Sequence, residues 1–343
     1  MTAPHLETAG FREATIWSTP IRDLGLTIEG TRLEPILAEY RRELDALGFR
    51  RLAPRFYLST EWGVPFETVA IAIPFYLAST ELEAMHAERT GHVEGRDPEE
   101  LLRYLRHEMG HVVNYAYRLY DDAEWERLFG PMSEPYEDEY HPVPFSRKHV
   151  RHLPGWYAQK HPDEDWAETF AVFSTPGLDW RAEYATRPEA LAKLEYCART
   201  VPELLDRDPV VVDDELDEDV GELEYSVDQF YRDLSPGEPR LALNLDATLR
   251  SIFPSRPTPN RPELSRTAAG LLHRLEGDLL GNVYRWTGHF PERTRVLVDY
   301  LESRAEHLDL RYRAEEEASV TVALTTLVTS LAMNFVQTGA YLR

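Results

Sequence analysis

The hexapeptide Arg106-His107-Glu108-Met109-Gly110-His111 carries the spacing His-Glu-x-x-His. On a helix, imidazoles four residues apart lie on one face and can hold one zinc ion, while the carboxylate between them can reach a water at the metal. A chain rich in His and Glu also produces this string by accident, so its surroundings must decide. Upstream, Asp97-Pro98-Glu99-Glu100 reads as a helix start, with an N-cap aspartate, a proline at the first helical position and a capping-box glutamate three residues after the cap. Leu101, Leu102, Leu105, Met109, Val112, Val113 and Ala116 then recur at helical spacing, which commits one side of the helix to a core. Tyr104 shares the histidine face and Tyr115 lies nearby, which is compatible with a cleft wall as well as with packing. The competing reading is a pair of partly buried structural histidines.

Two histidines need a third protein ligand, leaving a fourth position for water. Tyr117 stands six residues after His111, so the longer three-histidine pattern is absent. The richest downstream stretch runs from Tyr157 to Phe170. Pro162 followed by Asp163, Glu164 and Asp165 is a strong helix start, since early acidic residues offset the positive end of the helix dipole. Trp166, Phe170 and Phe173 form an apolar stripe, and Ser174-Thr175-Pro176-Gly177 stops the helix. Glu164 and Glu168, four apart, share another face. One can coordinate zinc while the other accepts a hydrogen bond from a ligand histidine. Asp165 and His161 are lesser candidates, and a solvated acidic first turn is the alternative for the whole segment.

With these residues the chain resembles the zincin metallopeptidases of the glutamate-ligand branch, the gluzincins. It is most similar to the bacterial "putative zinc-binding metallopeptidase" group and to lethal-factor-like catalytic domains, which carry a Tyr and then Glu-x-x-Ala-Glu after the histidine motif. The resemblance covers roughly residues 55–200. It implies one zinc ion held by His107, His111 and Glu164, with Glu108 as general base, Glu168 supporting a ligand from behind and Tyr157 facing the oxyanion. In such an enzyme zinc activates a water and polarises the substrate carbonyl, and Glu108 moves the proton to the leaving amine.

The stretch 68–77 is rich in β-formers, and Pro74 removes a ladder donor, which predicts an edge strand able to pair with an extended peptide. In zincins such a strand runs above the active-site helix. An ordinary buried strand ended by a bend is the alternative.

With 343 residues and 43% hydrophobic content the chain can bury one large core or two medium ones. The single cysteine, Cys197, excludes an internal disulfide, fits a reducing compartment and reads as a packing residue. The first ten residues show no secretory pattern, so a cytoplasmic protein is expected. A formal charge of −23 disfavours nucleic-acid partners and favours basic or neutral peptides. Part of the excess is the run Asp213-Asp214-Glu215-Leu216-Asp217-Glu218-Asp219, read as a solvated linker. Three helical patterns follow it, over 264–287, 292–313 and 315–338. The uncharged stretch 318–342 alternates threonines with aliphatic residues at helical spacing, which predicts an amphipathic core helix rather than a membrane anchor.

The expectation is therefore α+β: a zincin-like metallopeptidase domain over residues 1–205, with a small mixed sheet, an edge strand and two active-site helices. An acidic linker over 206–240 and a helical C-terminal bundle over 241–343 complete it. The expected activity is zinc-dependent hydrolysis of peptide or protein substrates, without nucleic-acid or membrane partners. A zinc hydrolase of non-peptide amides and a silent zinc-containing binding protein are the other readings.

Overall fold

The computed structural model describes residues 15–136, 140–234, 241, 243–253 and 265–342. The first ten residues, the end of the acidic linker at 235–240 and position 264 lie outside them. Helix α1 (Leu33–Leu47) buries Leu33, Ile36, Leu37, Tyr40 and Leu44, one face of a helical repeat, and stops at Gly48 with φ 98°. Strand β1 (Arg55–Ser59) pairs in parallel with β2 (Ala70–Pro74), from Arg55 opposite Ala70 to Ser59 opposite Pro74. Helix α2 (Thr80–Thr90) leads to the long helix α3 (Pro98–Tyr117), which carries the histidine motif.

Two expectations need correction here. Strand β2 is buried along its whole length, and its Ala72 N–H donates to Gly63 O at 2.8 Å. The run Ala70-Ile71-Ala72-Ile73 lacks polar alternation, so both faces of the strand seek a core. Pro74 stands at its end, where a missing donor costs little. The sheet is a parallel pair rather than a mixed sheet; β2 is an edge strand of it, but its outer side is bridged at Ala72 by Gly63. At the start of α3, Pro98 holds the first position as expected, but the Asp97 side chain makes no cap bond; the Glu100 carboxylate instead accepts from Arg96 N at 3.2 Å.

Helix α4 (Ala123–Phe129) precedes α5 (Pro162–Ser174), which begins and ends where the sequence indicates. Its N-cap is His161, whose Nδ1 accepts from Asp163 N at 3.2 Å. Helices α6 (Trp180–Tyr184) and α7 (Pro188–Leu204) follow. A single apolar core gathers α1, β2, α3, α5 and α7 through residues such as Leu37, Ile71, Leu105, Met109, Phe170 and Cys197.

The acidic run lies along the sheet. Val69 N donates to Asp213 O at 2.7 Å, Val220 N to Leu58 O at 3.1 Å, and Tyr57 Oη to Asp217 O at 3.0 Å. Its backbone is held on the strands while most of its carboxylates face water. Helix α8 (Val227–Leu234) then returns Val227, Phe230 and Tyr231 to the first core.

A second core belongs to the C-terminal part. Helices α9 (Asp246–Ile252), α10 (Ala268–Thr287), α11 (Pro291–His307) and α12 (Glu317–Thr338) surround Leu249, Leu272, Leu297, Leu301, Leu324 and Val328. The pattern over 292–313 breaks after His307, because Asp309 turns left-handed at φ 46°. Residues Arg311–Arg313 then form β4, antiparallel to β3 (Ser265–Thr267), and bury Tyr312 between two outward arginines. Residues 314–338 are long and apolar enough to cross a membrane by composition and length. Within them Val320, Leu324, Val328, Leu331 and Ala332 face the second core at helical spacing.

Candidate metal centre

Helix α3 is buried on every side from Tyr104 to Ala116, so its polar residues are committed to partners inside the protein. Arg106, the residue before the motif, forks onto Glu43 of α1 at 2.9 and 2.8 Å, which fixes the rotation of the helix against its backing. On the opposite flank α5 crosses very closely. A Cβ on Gly110 would come within 2.7 Å of Ala167 Cα, and Trp166 Nε1 donates to Gly110 O at 2.7 Å. Gly110 and Ala167 are small because the two helices need that spacing for their side chains to meet.

They meet at three atoms. His107 Nε2 and His111 Nε2 stand 3.2 Å apart, and Glu164 Oε2 lies 3.0 Å from the first and 3.3 Å from the second. Tetrahedral bonds of about 2.0–2.1 Å to zinc give ligand–ligand edges of about 3.3 Å, so the triangle matches one face of such a site. The histidine, histidine, glutamate donor set also matches zinc. All three residues are buried.

What stands behind the donors supports the same reading. His107 Nδ1 lies 3.0 Å from Glu168 Oε1, and His111 Nδ1 lies 2.9 Å from Asp163 Oδ2. Each imidazole can therefore give its Nδ1 proton to a carboxylate and turn an Nε2 lone pair toward the shared centre. Glu168 is itself fixed by His152 N at 2.6 Å and Leu153 N at 2.9 Å. Asp163 accepts from Asn114 Nδ2 at 2.7 Å and from the Tyr115 hydroxyl. Burial opposes charge on the His107 ring, yet Glu164 and Glu168 beside it hold its pKa up at about 9. Burial likewise works against an ionised Glu164, but His111 and His107 hold its carboxyl well below the usual range. The pocket thus concentrates negative charge around two imidazoles, an electrostatic setting that a divalent cation neutralises.

Glu108 is buried and lines a cleft of about 680 Å³ that also exposes His107, His111 and Glu164. Burial raises its pKa above the ordinary carboxylate value, with His107 and His111 acting in the other direction. Tyr157 faces the same cleft, with its ring 5.6 Å from the His107 ring and its hydroxyl 3.4 Å from that of Tyr136. Tyr136 donates to Glu164 Oε1 at 2.5 Å, and the Lys160 ammonium sits 4.3 Å from the centre of its ring. The Tyr157 loop owes its shape to Gly155 and Trp156, both left-handed at φ 84° and 60°.

Every sequence-derived site residue is therefore present at one place: His107, Glu108, His111, Tyr157, Glu164 and Glu168. The lesser ligand candidates stand outside the triangle. His161 caps α5 and binds Glu134 O at 3.0 Å through Nε2, and Asp165 is bonded to Lys193 of α7, with both side chains buried. Sequence reading gave no site role to Asp163, Asn114 or Tyr136, and set Tyr115 only near the histidine face. For Asn114 and Tyr115 the signal was available, three and four residues after His111 on the same helix. Tyr136 lies in an irregular loop that carries no such signal. The cleft wall expected of β2 is formed by the segment 61–66, with Trp62, Gly63, Val64 and Phe66 lining the cleft.

Residues 77–180 match the family model described as "Putative zinc-binding metallo-peptidase". That segment contains the whole triangle, Glu108, Tyr157 and Glu168, in agreement with the resemblance drawn from the motif. No curated protein and no solved structure matches the chain.

Proposed function

We propose that this protein is a metallopeptidase that uses one zinc ion, held by His107, His111 and Glu164, to hydrolyse peptide bonds. The observation that carries the proposal is the triangle of three donor atoms opening onto a cleft beside Glu108. Zinc in that position supplies a Lewis acid that polarises a carbonyl and lowers the pKa of water toward neutrality.

The chain's own groups do the rest. Glu108 sits between the two histidines in sequence and faces the cleft, where its raised pKa brings it nearer the range in which a carboxylate accepts and returns a proton. It takes a proton from the attacking water and delivers it to the leaving amine. Tyr157 and Tyr136 present hydroxyls on the same wall, so a hydrogen bond from Tyr157 to the developing oxyanion would act mainly in the transition state. Glu168 and Asp163 hold the imidazoles in the tautomer that frees Nε2.

The test is cleavage of a peptide library by the zinc-loaded native protein and by Glu108→Gln. The variant should retain full zinc stoichiometry and lose turnover by about 10²–10⁴-fold, the usual contribution of a positioned general base. Native-like turnover in Glu108→Gln would overturn the assignment.

A further inference from the structure

The cleft is walled on one side by the C-terminal part of the chain, through Tyr284 of α10 and Phe290 beside α11. Gly288 comes so close to the Tyr157 loop that a Cβ there would lie 2.8 Å from Gly155 Cα. Between these elements and α3 sits Glu94, which also lines the cleft. Its carboxylate accepts from the Tyr284 hydroxyl at 3.2 Å, and Tyr104, one turn before His107 on α3, lines the cleft with it.

Two aromatic pairs flank this carboxylate. Trp62 stacks on Tyr104 with ring centres 5.2 Å apart, and Tyr284 stacks on Phe290 at 6.1 Å. Among the described residues Glu94 makes no ion pair; the acidic Glu292 and Glu100 act on it, and burial pushes its pKa up to about 7. Across the lining residues Lys160 is the one lysine or arginine, and its ammonium is directed at the Tyr136 and Tyr157 rings. A cleft-lining carboxylate with one hydroxyl partner, no ion-pair partner among the described residues and aromatic faces around it is a receptor for an organic cation on an aliphatic stem.

We propose that Glu94, flanked by Trp62, Tyr104, Tyr284 and Phe290, is a specificity subsite that selects peptides carrying a lysine or arginine side chain close to the scissile bond. The inference rests on the peptidase reading of this cleft and assigns the C-terminal helices a share in substrate choice. The aliphatic stem lies against the rings, and the ammonium or guanidinium meets the carboxylate.

The test uses N-acetylated peptides in which one position is arginine, citrulline, lysine or norleucine, so that only side-chain charge varies. The zinc-loaded native protein should prefer arginine over citrulline and lysine over norleucine in kcat/KM by about tenfold or more, as a charge-assisted hydrogen bond supports. Glu94→Gln should lose that preference, and Glu94→Asp, which keeps the charge, should recover part of it. An unchanged preference in Glu94→Gln, a native preference for the neutral peptides, or discrimination that appears only with free N-termini would overturn the proposal. Calorimetric binding of the arginine and citrulline peptides to zinc-loaded Glu108→Gln separates this claim from the peptidase reading. Discrimination in binding without any cleavage by the native protein would refute the peptidase reading and uphold the subsite; equal binding, or none, would refute the subsite.

Discussion

The α3–α5 pair and the C-terminal helices are both buried helical packings, and they are filled in opposite ways. On and between α3 and α5 the interior holds His107, Glu108, His111, Asn114, Asp163, Glu164 and Glu168, with Arg106 and Asp165 buried on the outer flanks of the pair. In the C-terminal core the buried polar residues among those described are Thr287, His289 and Thr294. That small group closes on itself, since His289 Nδ1 meets Thr294 Oγ1 at 2.7 Å and Nε2 meets the Tyr341 hydroxyl at 2.9 Å. Burying ionisable groups is costly unless each is paired, so a helix pair with this many is retained for what the groups do together. The C-terminal core, by contrast, is explained by apolar packing alone.

Substitutions can break or sharpen that contrast. The largest stability effect is expected in the second core, where Leu324 is fully buried. Leu324→Ala should destabilise by about 2–5 kcal/mol, the range for a deleted core leucine, and leave zinc stoichiometry at one. Chemical denaturation with parallel metal analysis reads both, and a loss of zinc in the folded variant would mean that the two regions are not separable. Glu168→Ala attacks the other region from behind the ligand. It strips His107 Nδ1 of its carboxylate and leaves His152 N and Leu153 N without their acceptor. Zinc affinity, measured by chelator competition, should fall about 10–100-fold, as for other partners of ligand histidines; unchanged affinity would remove Glu168 from the centre. The smallest effect belongs to Gly110→Ala, which forces α3 and α5 apart at the Ala167 contact. An overpacking cost of about 1–3 kcal/mol is expected, together with weaker zinc binding. Wild-type zinc affinity in this variant would show that the helix spacing does not set the site.

The same contrast explains what could be read from the chain. The ends of α5 and the buried face of α12 were legible because helical spacing and Pro or Gly punctuation are local signals, whereas the choice of Glu164 over Glu168 as partner of His107 and His111 came from the family resemblance. Strand β2 stands at the edge of its two-stranded sheet, as Pro74 suggested, but the Gly63 bridge that occupies its outer side has no local signature. The acidic run was read as a tether because its side chains are solvated, and its backbone bonds to β1 and β2 have no local signature. The break after His307 depends on the left-handed Asp309 and on Tyr312 finding the second core, neither of which periodicity reports. Tyr136 reaches Glu164 across 28 residues from an irregular loop. Glu94 likewise gains its setting only when Tyr284, far along the chain, folds back over the cleft.

The central claim is that His107, His111 and Glu164 together hold a single zinc ion. An anomalous difference map from crystals of the zinc-loaded protein, recorded at the zinc absorption edge, tests it most directly. The account predicts one peak at about 2.0–2.2 Å from His107 Nε2, His111 Nε2 and a Glu164 carboxylate oxygen. A peak coordinated by Glu168 or Asp165 in place of Glu164, or no peak between the histidines in protein that carries zinc, would contradict it.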